Sequence, residues 1–554
     1  MSYMKNYEFW LNQEQLDELL KHELLGLSDE EIKEAFYTEL GFGTGGLRGL
    51  MGVGTNRINV YTIRRATLGF ARFLKKQPHK GGVAISYDNR KDSQFFAKQA
   101  AMVLAAEGIK SYLFESLRPT PMLSFAVRHF QCSGGIMITA SHNPKAYNGY
   151  KAYDHTGSQL NLKDADQVID EINHIDTLFE IPVTDNDLIT YIDSSFDDIY
   201  LSKVKEISIH QLEKKVKIVY SPLHGTGGSV IPKFLKQEGY DVHPYLPQME
   251  VDSTFGTLKS SNPEEAQAFE RTINFGKNIH ADLVMVTDPD ADRLGIAVKH
   301  HDTYRLLTGN QTAAIELYYI LSERKKLNTL PKQGAVYTTN VSTDLIKMIA
   351  ESYQMKVVTT LTGFKFIGEK AEEHKDTHEY MFGCEESYGS LIKDFVRDKD
   401  AVQAVYLLAE IANYLKLQNK TIMDYLEEIY QAYGYYFEYT HSMTLAGILG
   451  IEKIDLIMDY FRRRPLHIEG RTLLGYDDIL KGVHMEGEME SPLPFPTSNV
   501  LKYYYDHDTW VVLRPSGTEP KIKIYYGTKA SSMAEAQHFI FELNKHVLAM
   551  IESL

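Results

Sequence analysis

Residues 81–115 read GGVAISYD, then after a short break SQFFAKQAAMVLAAEGI, then SYLFE. This order of short apolar run, helical pattern and second apolar run constrains the fold more than any other feature of the chain. Strands apolar on both sides must be covered on both faces, and two of them joined by a helix pair in parallel through a right-handed crossover. The rhythm restarts at KKVKIVYSPLHG (214–225) and at GAVYTTN (334–340), each time after a polar helical stretch. Three α/β domains are therefore expected. Beyond about residue 435 the period changes: TWVVLRPSG and KIKIYYG alternate as strands flanking a turn, and Ala536, Phe539, Ile540, Leu543 and Val547 share one helix face.

The predicted class is α/β. A helical extension is expected over 1–40, three related α/β mixed-sheet domains over 41–208, 209–310 and 311–435, and a smaller C-terminal α+β domain over 436–554. In the extension Ser28 and Glu31 have capping-box spacing ahead of Ile32, Ala35 and Phe36, which predicts surface helices. No short fixed period repeats, which argues against a solenoid.

Composition narrows the function classes. A chain of 554 residues exceeds one hydrophobic core, and a net charge of −15 disfavours broad attachment to nucleic acid or an anionic membrane. Only Cys132 and Cys384 are present, without CxxC spacing, so a reducing cytoplasm is the expected compartment. No basic-then-apolar leader opens the chain, and no apolar run is long enough to span a bilayer.

The stretch DPDADR follows a strand-like run and sets Asp288, Asp290 and Asp292 at alternate positions. On an extended loop three such carboxylates face one side, which suits a hard cation such as Mg²⁺. A calcium EF-hand is excluded because Arg293 replaces the sixth-position Gly and Lys299 the twelfth-position Glu. The plainer alternative is a solvated polar turn, but Arg293 beside the acids points to a site for a cation and an anion together.

In RPSGTEP, Arg514, Ser516, Gly517 and Thr518 combine a guanidinium, two hydroxyls and a freed backbone N–H, the parts of a phosphate cradle or of an ordinary hairpin turn. In GCEESYGSLIKDFVRDK, Glu385, Glu386 and Ser387 offer contacts to sugar hydroxyls, while Arg397 and Lys399 are able to hold a phosphate or move a proton. The GxGxxG at Gly41, Gly43 and Gly46 follows a helix rather than a strand, so it is read as a flexible approach that delivers Arg48, not as a dinucleotide fingerprint. SPLHGTGG (221–228) is read as a βα turn.

Ser141 and His142 lie side by side in TASHNPKAYNGYK. On an extended segment neighbouring side chains point apart, so His142 is expected to be poorly placed as the base for Ser141, and no GxSxG elbow supports a hydrolase. Phosphoryl chemistry at Ser141, next to a cation held by the three aspartates, remains.

Together these stretches resemble the α-D-phosphohexomutase superfamily, most closely its bacterial phosphoglucomutase branch, which neighbours the phosphopentomutases. The likeness runs in order along nearly the whole chain: FGTGGLRG, TASHNPKAYNGYK as the phosphoserine loop, DPDADR as the metal loop, GCEESYG as the sugar loop and RPSGTEPKIKIY as the phosphate loop. The resemblance implies four domains around a central cleft, each supplying one loop, with a mobile fourth domain. It implies that Ser141 is phosphorylated and that Asp288, Asp290 and Asp292 hold Mg²⁺ with a phosphoserine oxygen. Glu385, Ser387, Thr362 and Gly363 would meet the substrate, and Arg514, Ser516, Gly517 and Thr518 would grip its non-transferring phosphate. Arg48, His142, Lys151, Arg293 and Lys399 would surround the reacting oxygens.

The resemblance also implies an activity: interconversion of glucose 1-phosphate and glucose 6-phosphate through glucose 1,6-bisphosphate. The same chemistry on pentose or mannose phosphates is the alternative, followed by a Mg²⁺-dependent sugar phosphatase. Small sugar phosphates are the expected partners of a monomer or weak homodimer. One position departs from the pattern, since some members carry a histidine two places after the sugar-loop serine and here that place is Gly389. Proton transfer then falls to Lys399 or Lys151.

Overall fold

Strand Gly134–Ile138 is buried along its length. It pairs in parallel with Val83–Tyr87 on one side and antiparallel with Tyr147–Asp154 on the other. The full sheet runs Gly46–Leu50, Tyr147–Asp154, Gly134–Ile138, Val83–Tyr87, Ser111–Phe114, Ile189–Ile192. The expected crossover is present: helix Ser93–Ala106 links the parallel neighbours Val83–Tyr87 and Ser111–Phe114. A second mixed sheet runs Thr303–Leu306, Leu294–His300, Leu283–Thr287, Lys217–Ser221, Asp241–Pro244. In both sheets the functional loop leaves the carboxyl end of a buried central strand, where open α/β sheets bind ligands.

The computed structural model describes residues 3–554 apart from 44, 177, 446 and 517–520. The chain divides into two units, one of Met1–Thr312, Pro331–Ala335 and Gly363–Ile422, the other of Ala313–Leu330, Val336–Thr362 and Met423–Leu554. Both sheets above belong to the first unit, as does the hairpin of Glu379–Glu385 and Gly389–Leu391. The second unit carries a seven-stranded sheet in the order Tyr435–Thr444, Lys521–Ala530, Thr509–Pro515, Leu501–Tyr505, Leu473–Asp478, Val483–Glu486, Met489–Pro492. Helix Met533–Glu552 buries Ala536, Ile540, Leu543 and Val547 in that unit's core, with Phe539 partly covered, as its spacing predicts.

The N-terminal helices differ from the surface elements expected. The Ser28–Glu31 capping box forms on helix Asp29–Phe36, but Trp10 and Phe36 are buried with Tyr61 and Phe179 in the core of the first sheet. The extension thus completes that core. SPLHGTGG is a βα turn, leading from strand Lys217–Ser221 through a 3₁₀ turn into helix Ile231–Gln237.

Candidate active site

The serine loop is set by a buried polar frame beneath it. Asp88, at the end of strand Val83–Tyr87, accepts hydrogen bonds from Thr139 Oγ1 at 2.7 Å and Ser93 Oγ at 2.8 Å. Thr139 Oγ1 in turn accepts the Ser141 N–H at 2.8 Å. The buried guanidinium of Arg90 donates to the carbonyls of Ser141, Asn143, Pro144 and Tyr147 at 2.5 to 3.0 Å, gathering the whole loop on one rigid fork. The sequence reading missed Asp88 and Arg90. Their signal was the triplet Asp88-Asn89-Arg90 directly after a buried strand, where a charged pair with no solvent has to find partners.

Ser141 itself has φ 51°, in the left-handed region. This overturns the expectation for His142: the segment is not extended, and Ser141 Oγ lies 3.2 Å from His142 Nδ1. Burial, and then the guanidiniums of Arg293 and Arg48, push the pKa of the imidazole well below the ordinary value. Arg48 also departs from expectation. It sits on strand Gly46–Leu50, opposite Gly149 of the serine-loop strand, rather than on a flexible approach, and it donates to Asn143 Oδ1 at 2.9 Å.

Asp288, Asp290 and Asp292 converge as expected, with one ligand oxygen from each within 4.8 Å of the others. A turn brings them together rather than extended alternation: Ala291 is left-handed, and Asp288 Oδ1 accepts the N–H groups of Asp292 and Arg293 at 3.1 and 3.0 Å. Ser141 Oγ donates to Asp288 Oδ2 at 2.9 Å. Thr120, also unforeseen, pins the loop by donating its N–H to the Asp290 carbonyl and its hydroxyl to Asp290 Oδ2, both at 2.9 Å.

Lys151 meets Asp290 at 2.8 Å and Asp292 at 3.4 Å. Burial works to push the Asp290 carboxyl up, but Lys151 wins and holds it below the usual carboxylate range. Asp288 goes the other way, pushed well up by burial and by its two acidic neighbours. Three buried acids whose Asp290 Oδ1 and Asp292 Oδ1 have no hydrogen-bond partner among the described residues fit a bound cation.

Strand Glu379–Glu385 ends on Glu385, whose Oε1 accepts the Gly363 N–H at 2.8 Å, and Ser387 lies in the turn after it. Lys399 Nζ lies 3.3 Å from Asp292, 3.5 Å from Asp398 and 3.7 Å from Glu385. Burial acts to lower its pKa, yet these carboxylates hold it above the usual lysine range. Arg293 pairs with Glu264 at 2.5 Å. Arg397, read beside Lys399 as a phosphate or proton group, is instead a structural side chain, buried against Glu372 and Asp394.

Ser141, His142, Lys151, Arg48, the three aspartates, Arg293, Gly363, Glu385, Ser387 and Lys399 all belong to the first unit. Thr362, Arg514 and Ser516 belong to the second. There Arg514 donates to Tyr525 Oη at 3.3 Å and the Ser516 N–H bonds the Lys521 carbonyl at 2.7 Å. Gly517 and Thr518 lie outside the described residues.

Four family models match in succession. They are described as phosphoglucomutase/phosphomannomutase α/β/α domain I over 39–179, domain II over 198–301, domain III over 308–433 and C-terminal domain over 479–543. The chain belongs to the phosphoglucomutase/phosphomannomutase family. Among members of that family, phosphoglucomutases of Staphylococcus aureus strains N315 and Mu50 are each 38% identical over 535 residues, 94% of this chain and 95% of theirs. The fold is shared with a putative phosphomannomutase from Thermus thermophilus, at TM-score 0.70 and 22% identity over 92% of this chain and 99% of that one. It is shared too with the open form of parafusin, a phosphoglucomutase of Paramecium, at TM-score 0.66 and 18% identity over 92% and 95%. Within the family frame the metal-binding capacity rests on the aspartate triad.

Proposed function

We propose that this chain is a phosphoglucomutase, interconverting α-D-glucose 1-phosphate and glucose 6-phosphate through phosphorylated Ser141 and glucose 1,6-bisphosphate. The observation that carries the reading is the buried Ser141 Oγ, 2.9 Å from Asp288 and beside three converging carboxylates. A serine in a charged, enclosed position suits transfer of a phosphoryl group that passes through a loose transition state, where positioning and neutralisation do most of the work.

In the first half-reaction the free hydroxyl of the sugar phosphate attacks phosphorus on Ser141. An O–P bond to the sugar forms as the Ser141 Oγ–P bond breaks; the sugar hydroxyl gives its proton to Lys399 while the departing Ser141 Oγ takes one from the His142 imidazolium, so the half-reaction ends with Lys399 protonated and His142 neutral. The bisphosphate then reorients, and Ser141 Oγ attacks its other phosphate, giving its proton to His142 Nδ1, 3.2 Å away. Lys399 serves the sugar side, protonating the sugar oxygen that loses its phosphoryl group and taking a proton back in the next half. Lys151, Arg293 and Arg48 spread positive charge around the transferring oxygens, and Glu385, Ser387, Thr362 and Gly363 orient the sugar. Arg514, Ser516, Gly517 and Thr518 hold the non-transferring phosphate.

Asp288, Asp290 and Asp292 are the residues that would hold Mg²⁺, which when bound supplies charge stabilisation to the phosphoryl oxygens. We propose the reducing cytoplasm as its compartment, in keeping with Cys132 and Cys384 as buried free thiols, and a monomer or weak homodimer as its state.

The deciding experiment is a coupled assay with Mg²⁺ and a trace of glucose 1,6-bisphosphate, following glucose 6-phosphate while monitoring inorganic phosphate. Rapid conversion without phosphate release is expected, and Ser141→Ala is to abolish it. Faster turnover of ribose or mannose 1-phosphate would reassign the sugar, and phosphate release without isomerisation would mark a phosphatase.

A further inference from the structure

Asp398 is a buried carboxylate that neither the aspartate triad nor the sugar contacts account for. Both of its oxygens are engaged: Oδ2 accepts the Tyr153 hydroxyl at 2.8 Å, while Oδ1 accepts the Lys399 N–H at 2.8 Å and faces Lys399 Nζ at 3.5 Å. Tyr153 is itself fully buried. Burial, and then the Asp398 charge, push its phenol well above the ordinary value, so Tyr153 stays the donor of this bond. The hydroxyl thus fixes the carboxylate in one orientation, with Oδ1 turned to Lys399.

Asp398 also links the two lysines of the site. Lys151 and Tyr153 stand at alternate positions of strand Tyr147–Asp154 and leave the same face of the sheet. One reaches Asp290 and Asp292, the other Asp398. Burial acts against the Lys151 charge, and Asp290, Asp292 and then Asp398 offset it. From the other side Lys399 Nζ meets Asp292 at 3.3 Å and Asp398 at 3.5 Å, with Glu385 further off at 3.7 Å. Both ammoniums therefore lean on the triad and on Asp398 together.

A cation changes one of these supports and leaves the other. Lys151 uses Oδ2 of Asp290 and of Asp292, and Lys399 uses Oδ2 of Asp292, while Oδ1 of both aspartates lacks a hydrogen-bond partner among the described residues. A cation held by these carboxylates draws on the same charge that holds the lysines, and it repels their ammoniums. Asp398 stands outside the convergent acids, so its charge stays with the lysines.

We propose that Asp398, fixed by Tyr153, is a positioning residue that keeps Lys151 and Lys399 in the site when a cation binds the aspartates. It acts through the two lysines, not on the substrate. The kinetic part of this rests on the mutase reading, while the magnesium part rests on the aspartate triad alone.

The test compares Asp398→Asn and Tyr153→Phe with the wild type after matching their thermal unfolding. Isothermal titration calorimetry with magnesium chloride and no substrate reads the first part. Without Asp398 the lysines lean on the triad alone and compete with the cation, so the Mg²⁺ Kd of Asp398→Asn is to rise at least about threefold, with Tyr153→Phe moving in the same direction. In a Lys151→Met/Lys399→Met background most of that rise is to vanish. A rise of the same size there reports only the loss of a nearby charge and overturns the proposal, as does an unchanged Kd in Asp398→Asn; no Mg²⁺ binding by the wild type overturns it together with the cation site. In steady state at saturating Mg²⁺, Asp398→Asn is to lower kcat at least about tenfold with KM nearly unchanged, and to cost little further in Lys399→Met. Additive losses overturn action through Lys399. If the mutase reading alone fails, turnover on hexose phosphates is absent while the difference in Mg²⁺ affinity persists.

Discussion

The Cβ that Gly389 lacks would stand 2.1 Å from Cδ of Lys399 and 2.8 Å from its Cγ. A side chain at 389 and the observed Lys399 position exclude each other. The backbone at Gly389 is outside the left-handed region, so space rather than φ calls for glycine. This gives a physical reason for the missing histidine: the volume it would fill is occupied by the lysine stem, whose ammonium sits among Asp292, Asp398 and Glu385. Gly389→Ala is expected to displace Lys399 and lower kcat by ~10²-fold, the lower end for loss of a general acid or base, with a smaller effect on KM. Lys399→Met should match it, and the double variant should be no worse than either. Steady-state kinetics of the three variants check this, and additive losses would show that the two residues act separately.

Arg90 predicts a positioning defect. Its guanidinium serves four carbonyls of the serine loop while pairing with Asp88 at 3.2 Å. Lysine keeps the charge but lacks the planar fork, so it leaves some of those carbonyls unmet. Arg90→Lys should reduce kcat by at least about tenfold through misplacement of Ser141, with KM nearly unchanged and Ser141 phosphorylated more slowly by glucose 1,6-bisphosphate. Mass spectrometry of the phosphorylation time course tests it. Normal phosphorylation with only a lower Tm would make Arg90 purely structural.

Removing one carboxylate from the triad should expose the metal requirement. Asp290→Asn loses a charge that faces both the cation site and Lys151 at 2.8 Å. Half-saturation with Mg²⁺ should rise by about tenfold or more, because a hard cation depends on its few charged ligands, and kcat should fall with it. Chelation of the wild-type enzyme should abolish turnover, and readdition of Mg²⁺ should restore it. A magnesium titration of the variant that overlays the wild type would remove Asp290 from the metal set.

Much of this was legible in the chain, and the losses have a common cause. Strand Val83–Tyr87 and helix Ser93–Ala106 declared themselves because a strand covered on both faces leaves a short continuous apolar run and a longer helical pattern follows it. The aspartates declared themselves because carboxylates packed that closely in sequence need a counter-charge. His142 was misplaced because nothing in the letters marks a left-handed Ser141, which in a non-glycine residue the fold has to impose. The Asp88-Asn89-Arg90 triplet marked a buried charge but not its task, because the partners of Arg90 are backbone carbonyls 51 to 57 residues away. Arg397 looked like Lys399 in sequence, and only its pairing with Glu372 separates them.

Asp400 allows a prediction about stability instead of rate. It caps helix Ala401–Lys416 through the N–H groups of Val402 and Gln403 and accepts the Tyr200 hydroxyl at 2.6 Å, yet burial outweighs these bonds and pushes its pKa up to about 6. In the unfolded chain the same carboxyl titrates near ~3.9. Between those values the folded protein binds the proton more tightly, so its contribution to stability is present at low pH and is lost as pH rises through about 6. Asparagine keeps an oxygen for the cap and does not ionise. Asp400→Asn should therefore flatten the fall in Tm between about pH 4 and pH 7, gaining on the wild type by up to ~3 kcal/mol across the window at ~1.4 kcal/mol per pH unit. Thermal unfolding of both proteins across that range measures the slope. Parallel slopes would mean that Asp400 is already ionised in the folded protein at the acid end of the window.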